Sequence, residues 1–126
     1  MPVSSKELLA AANAAVQRIS PQDAAPLIGK DDVLVVDVRD GLELQNTGKV
    51  TGAKHIPRGI IEFKADPESQ YYDKAFDREK TVLVYCASGG RSALAGKTLQ
   101  DMGYKNVRNL GAFKDWVESG GAVEKV

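Results

Sequence analysis

Two near-continuous apolar runs stand out along the chain, Val33-Leu34-Val35-Val36-Asp37-Val38 and Thr81-Val82-Leu83-Val84-Tyr85. Runs rich in β-branched residues without polar alternation suit strands covered on both faces, as in a parallel sheet flanked by helices. Shorter strands are predicted at residues 53–56, stopped by Pro57, and at residues 106–110. Helical spacing links Leu8, Ala12, Ala15 and Ile19, behind a capping-box pattern formed by Ser4 and Glu7. It returns over residues 22–28, ending near Gly29. It recurs at Leu94, Ala95, Thr98, Leu99 and Met102, closed by Gly103, and at Phe113, Trp116 and Val117, closed by Gly120-Gly121. Residues 62–80 are polar and punctuated by Pro67, Asp73 and Asp77, which reads as short helical pieces and loop on the surface. Strands alternating with helices predict an α/β fold: three layers, with helices on both faces of a mostly parallel central sheet of about five strands.

Composition narrows the class. The 126 residues suit one domain, and 43% hydrophobic with 27% charged residues is ordinary for a soluble globular chain. Seventeen basic and seventeen acidic residues cancel, so neither a nucleic-acid partner nor a membrane-surface partner is expected. One cysteine cannot form an internal disulfide, which suits a reducing cytoplasm. The first twenty residues lack the basic and compact apolar regions of a targeting signal, and no window is long enough to span a bilayer. The expected location is the cytoplasm.

Chemistry concentrates in Cys86-Ala87-Ser88-Gly89-Gly90-Arg91-Ser92, between the second long strand and the helix that follows. Ligands of open α/β sheets bind beyond the carboxyl ends of strands, where Cys86 falls. Small residues and two glycines let successive amides curl toward one point, and the helix adds its positive end. The result is an anion cradle with a sulfur nucleophile at its base. Such a setting lowers a thiol's pKa, so Cys86 is expected to be substantially thiolate at neutral pH. Ser88 and Ser92 can each offer a hydroxyl near the sulfur.

The pattern Cys86-x-x-Gly89-x-Arg91-Ser92 resembles the active-site loop of rhodanese-like sulfurtransferases. The similarity extends through Ala95, Leu99, Gly103-Tyr104, Val107, Leu110, Gly111 and Trp116. Upstream it takes in Val36-Asp37-Val38-Arg39 and Gly52-Ala53-Lys54-His55-Ile56-Pro57. Departures are Gly48-Lys49-Val50 for the usual Gly-His-Ile, the altered stretch from Asp40 to Leu44, and Gly111-Ala112 for a glycine pair. The resemblance implies a rhodanese-like domain over residues 19–126, with residues 1–18 an N-terminal helical extension packed on it.

It also implies ping-pong sulfur transfer through a persulfide on Cys86. The donor would be a small anion such as thiosulfate, and the acceptor cyanide or a thiol, with no metal or organic cofactor. Arg91 and the loop amides of Ala87, Ser88, Gly89, Gly90 and Ser92 would bind the donor. Alternatives are a sulfur-relay or regulatory module acting on a protein acceptor, and a phosphatase or arsenate reductase. In the family's phosphatases five residues separate cysteine from arginine; here Ala87, Ser88, Gly89 and Gly90 make four.

Three further residues are candidate supports. Asp37 closes a buried strand and needs partners; it is expected either to orient the loop or Arg91, or to make a structural hydrogen bond. Arg39 and Arg58 are candidate rim charges, with solvation on the surface as the competing expectation. His55 is expected to be structural. One histidine and one cysteine cannot fill a zinc shell, so no metal site is expected.

Overall fold

The computed structural model describes residues 2–126. Helix α1 (Ser5–Ala15) opens with the expected capping box: the Glu7 amide donates to Ser4 Oγ at 3.1 Å, and the Ser4 amide to Glu7 Oε1 at 3.4 Å. The stripe behind it is corrected by the structure. Only Ala12 is buried; Leu8 and Ala15 are exposed, and Ile19 lies beyond the helix. The helix stops at Ala15, where Val16 becomes extended and leads into a strand, β1 (Gln17–Arg18), and buried Val16 is the second anchor. Its methyls lie 3.1 and 3.2 Å from where a Cβ on Gly96 would sit, so a glycine there lets the two helices approach.

A short helix, α2 (Pro21–Ala24), is capped by Ser20, whose hydroxyl accepts from the Asp23 amide at 3.0 Å. The two long apolar runs form β2 (Val33–Asp37) and β5 (Thr81–Cys86), paired in parallel over five residues. Between them come α3 (Gly41–Thr47), β3 (Lys49–Val50), β4 (Lys54–His55), a 3-10 turn (Arg58–Ile60) and α4 (Ile61–Ala65). After β5 follow α5 (Gly90–Asp101), β6 (Asn106–Ala112), α6 (Phe113–Glu118) and β7 (Val123–Glu124).

The central sheet has the order β1-β6-β5-β2-β4, every pair parallel. A separate antiparallel pair, β3 with β7, was not foreseen, since two-residue strands leave no periodic signal. Alternate residues of β2 and β5 point to opposite faces, and each face has its own core. Leu34, Val36, Val82 and Val84 meet Val16, Ile61, Ala95 and Leu99 from α1, α4 and α5 and their flanks. Val35 and Leu83 meet Ala24, Phe113 and Trp116 from α2 and α6. This is the expected three-layer arrangement. The stretch read as surface loop is partly core: Ile61 opens α4 just before it, and within it Ala65 and Phe76 are fully buried. No helix among the described residues is long and apolar enough to cross a membrane.

Candidate active site

Strand β5 delivers Cys86 to the carboxyl edge of the sheet, on the face covered by α5. The turn into α5 is made by Gly89 at φ 98°, a left-handed conformation that a side chain would strain. That turn wraps the chain around the sulfur. The Gly89 amide donates to Cys86 Sγ at 3.0 Å, the Ser92 amide at 3.4 Å, and the Ser92 hydroxyl lies 3.4 Å away. Burial alone would push the thiol up. The Ser92 hydroxyl and the amides of Ser92, Gly89 and Ser88 outweigh it, and the thiol falls below the ordinary cysteine value. Ala87 and Ser88 are exposed at the mouth, while Gly89 and Ser92 are buried beneath it. Among the described residues, no backbone carbonyl accepts from the amides of Gly90 and Arg91. They remain available at the positive end of a twelve-residue helix.

Arg91 carries a partner that was not anticipated. Its Nη1 and Nη2 donate to Glu43 Oε1 and Oε2 at 2.7 and 3.0 Å, a bidentate bridge from α5 to the first turn of α3. The pair holds the Glu43 carboxyl down at about 2 and raises Arg91 further. Glu43 also accepts from the Asp40 amide at 3.1 Å, as the closing residue of a capping box. It stood in the sequence only as part of an altered stretch.

The supporting residues fall in different places. Asp37 is fully buried and gives both carboxylate oxygens to Arg39, at 2.7 to 3.1 Å, rather than to Arg91. Arg39 is 2% exposed, so surface solvation does not apply to it. It donates to Thr47 Oγ1 and to the Gly48 carbonyl, both at 2.9 Å, and lies 4.3 Å above the Phe113 ring. The Asp37–Arg39 unit thus clamps the end of α3 to β2. Beside it, Tyr85 accepts from the Val50 amide at 3.0 Å; burial, then the Asp37 carboxylate, drives its phenol far up. Arg39 nevertheless lines a cavity of about 280 Å³ with Glu43, Thr47, Ala87, Phe113 and Lys114, next to the loop. Arg58 points elsewhere, to Glu62 at 3.3 Å and to Thr98 Oγ1 at 3.2 Å, about two turns along α5 from Arg91. His55 Nε2 lies 2.6 Å from the Arg39 carbonyl, a structural contact. No group of three or more His, Cys, Asp or Glu among the described residues could hold a metal ion.

Sequence reasoning missed Asn109. Its side chain is 1% exposed and bonded at both ends: Oδ1 lies 2.8 Å from Ser92 Oγ and accepts from the Gly111 amide at 2.9 Å, while Nδ2 donates to the Gly89 carbonyl at 3.2 Å. A polar residue flanked by core positions in a predicted strand was the available signal, because such a group needs partners. Beyond it, the Arg18 guanidinium lies against Gly111, where a Cβ would collide with it, and 3.9 Å from the place a Gly89 Cβ would take.

Fold and loop together define an α/β domain that holds a buried cysteine under backbone amides at the positive end of a helix. The chain belongs to the rhodanese-like family of sulfurtransferases: the family's Rhodanese-like domain profile matches residues 20–119. It is 33% identical over 101 residues to the thiosulfate sulfurtransferase GlpE of Coxiella burnetii, covering 79% of this chain and 86% of that one. The polysulfide-sulfur transferase of Wolinella succinogenes, solved as a homodimer, superposes with a TM-score of 0.76 at 36% identity, covering 96% of this chain and 87% of that one. A Rhodopseudomonas palustris protein described as of unknown function and a possible tyrosine phosphatase superposes at 0.90, with 40% identity and coverage of 98% and 96%.

Proposed function

We propose that Cys86 carries sulfur as a persulfide between an anionic sulfane-sulfur donor, such as thiosulfate, and a thiol or cyanide acceptor. The observation that carries this reading is the Cys86 sulfur held beneath the Gly89 and Ser92 amides at 3.0 and 3.4 Å. The thiolate attacks the outer sulfur of thiosulfate. The S–S bond of the donor breaks, sulfite leaves with the electron pair, and Cys86 retains the transferred sulfur as a persulfide anion. An acceptor thiolate or cyanide then attacks that outer sulfur and regenerates the Cys86 thiolate. Low thiol pKa favours the first step, as in thiol–disulfide exchange. The open amides of Gly90 and Arg91 and the helix end stabilise charge on the donor and on the departing sulfite. The GlpE relative's name supports thiosulfate as donor. The lone cysteine supports work in a reducing cytoplasm, and a protein thiol is an acceptor of the same chemistry.

The test is intact mass of wild type and Cys86→Ser before and after thiosulfate, then after cyanide. One added sulfur atom on wild type only, removed by cyanide with thiocyanate formed, is expected. No added sulfur on a reduced, alkylatable Cys86 would sink the thiosulfate reading. Hydrolysis of an aryl phosphate by that same protein would move the assignment to phosphatase.

A further inference from the structure

The Ser92 hydroxyl has one proton and three acceptors in reach: Asn109 Oδ1 at 2.8 Å, the Gly89 carbonyl at 3.1 Å and Cys86 Sγ at 3.4 Å. Asn109 cannot be turned over to change this. Its Oδ1 must face the Gly111 N–H at 2.9 Å and its Nδ2 the Gly89 carbonyl at 3.2 Å. The competition is therefore built in. When Cys86 is a neutral thiol, the hydroxyl proton rests on Asn109, the nearest acceptor. When Cys86 ionises, the anionic sulfur is the stronger acceptor and draws that proton away.

The same side chain acts on a second group. In a trans peptide the C=O and the following N–H point in opposite directions. Asn109 Nδ2 and the Ala93 amide, at 3.2 and 3.1 Å, pin the Gly89 carbonyl inward. The Gly90 N–H is thereby turned outward, into the cradle, where no backbone carbonyl among the described residues takes it up.

We propose that Asn109 is a positioning residue of the Cys86 site, which withholds the Ser92 proton from the sulfur until the thiol ionises and aims the Gly90 amide at the bound anion. The second half rests on the sulfurtransferase reading; the first does not. Asn109 favours the thiol state through Ser92, so its removal frees the hydroxyl for the thiolate.

The experiment follows the thiolate's ultraviolet absorbance against pH in wild type, Asn109→Ala, Ser92→Ala and the double variant. Near-ultraviolet circular dichroism reports folding of each. Asn109→Ser, too short to span Ser92 and Gly89, replaces Asn109→Ala if the latter does not fold. The midpoint is expected to fall by about half a pH unit to one unit in Asn109→Ala, and to stay put when Asn109→Ala is added to Ser92→Ala. A midpoint that rises or stays unchanged, or an equal fall in the Ser92→Ala background, overturns the first half. Single-turnover sulfur loading from thiosulfate, measured above both midpoints, is expected to slow by about tenfold in Asn109→Ala through the misaimed amide. Unchanged loading there overturns the second half. If wild type takes up no sulfur at all, the sulfurtransferase reading fails while the titration still decides the role of Asn109 toward Ser92.

Discussion

The Cys86 sulfur has no exposed surface, and burial by itself favours the neutral thiol. The donors around it reverse that preference, and the Ser92 hydroxyl leads them. Ser92→Ala removes that donor, so the thiolate titration should move upward, by about one pH unit. Iodoacetamide labelling rates across pH measure it, and a profile superimposable on wild type would contradict the account. A second residue-scale consequence concerns the clamp. Asp37→Ala leaves the Arg39 guanidinium, 2% exposed, without its counter-charge. Removing one partner of a buried ion pair costs about 3–5 kcal/mol, a loss that urea denaturation would register. The turn that follows Cys86 could be placed from residue types alone, because small residues and two glycines lie between an apolar run and a helical stripe. Asp37 was recognisable as needing a partner, but which partner was hidden. Arg39 and Arg91 are both arginines near strand ends, and only the three-dimensional placement of α3 sends one to Asp37 and the other to Glu43.

Among the elements, β2 and β5 were legible because a strand buried on both faces has an apolar signature along its whole length. The helix α5 was legible for the matching reason, with its cap at Gly103, φ 98°, where expected. The short elements β1, β3 and β7 were not, since two residues carry no period. The loop that joins β5 to α5 depends on one backbone conformation. Space at Gly89 is adequate for a methyl group, with the nearest atom, Gly111 Cα, at 3.6 Å. The strain lies in the φ of 98° instead. Gly89→Ala should therefore cost about 1–2 kcal/mol of stability, seen as a lower urea midpoint. Relaxation toward negative φ would also pull the Gly89 amide off the sulfur and slow alkylation at neutral pH. Loss of stability with an unaltered alkylation rate would show that the amide is dispensable.

At the scale of the whole molecule, the Glu43–Arg91 bridge ties α5 to α3 and makes stability depend on acid. The Glu43 carboxyl is held at about 2 in the folded protein. An unfolded glutamate titrates near 4.5, so the contribution is complete above that pH and is lost as pH falls toward 2. Both side chains are about one-third exposed, at 33% and 37%, so the contribution is screened. Its size should be below about 1 kcal/mol. Glu43→Gln should flatten stability against pH between those values, measured by thermal melting across an acid series, with a small loss present at neutral pH that vanishes toward pH 2.

The two-residue strand β1 covers part of the free flank of β6, the seven-residue strand next to β5. It lies outside the span of residues 20–119 that matches the family profile. A fragment trimmed to that span would keep every loop residue yet uncover hydrogen-bonding groups along β6, a ready template for another chain. It would also lift Arg18 off Gly111. Such a fragment should self-associate, with light scattering after size exclusion reporting species larger than the parent. For anyone grafting or minimising this domain, the solubility boundary thus falls upstream of the family boundary.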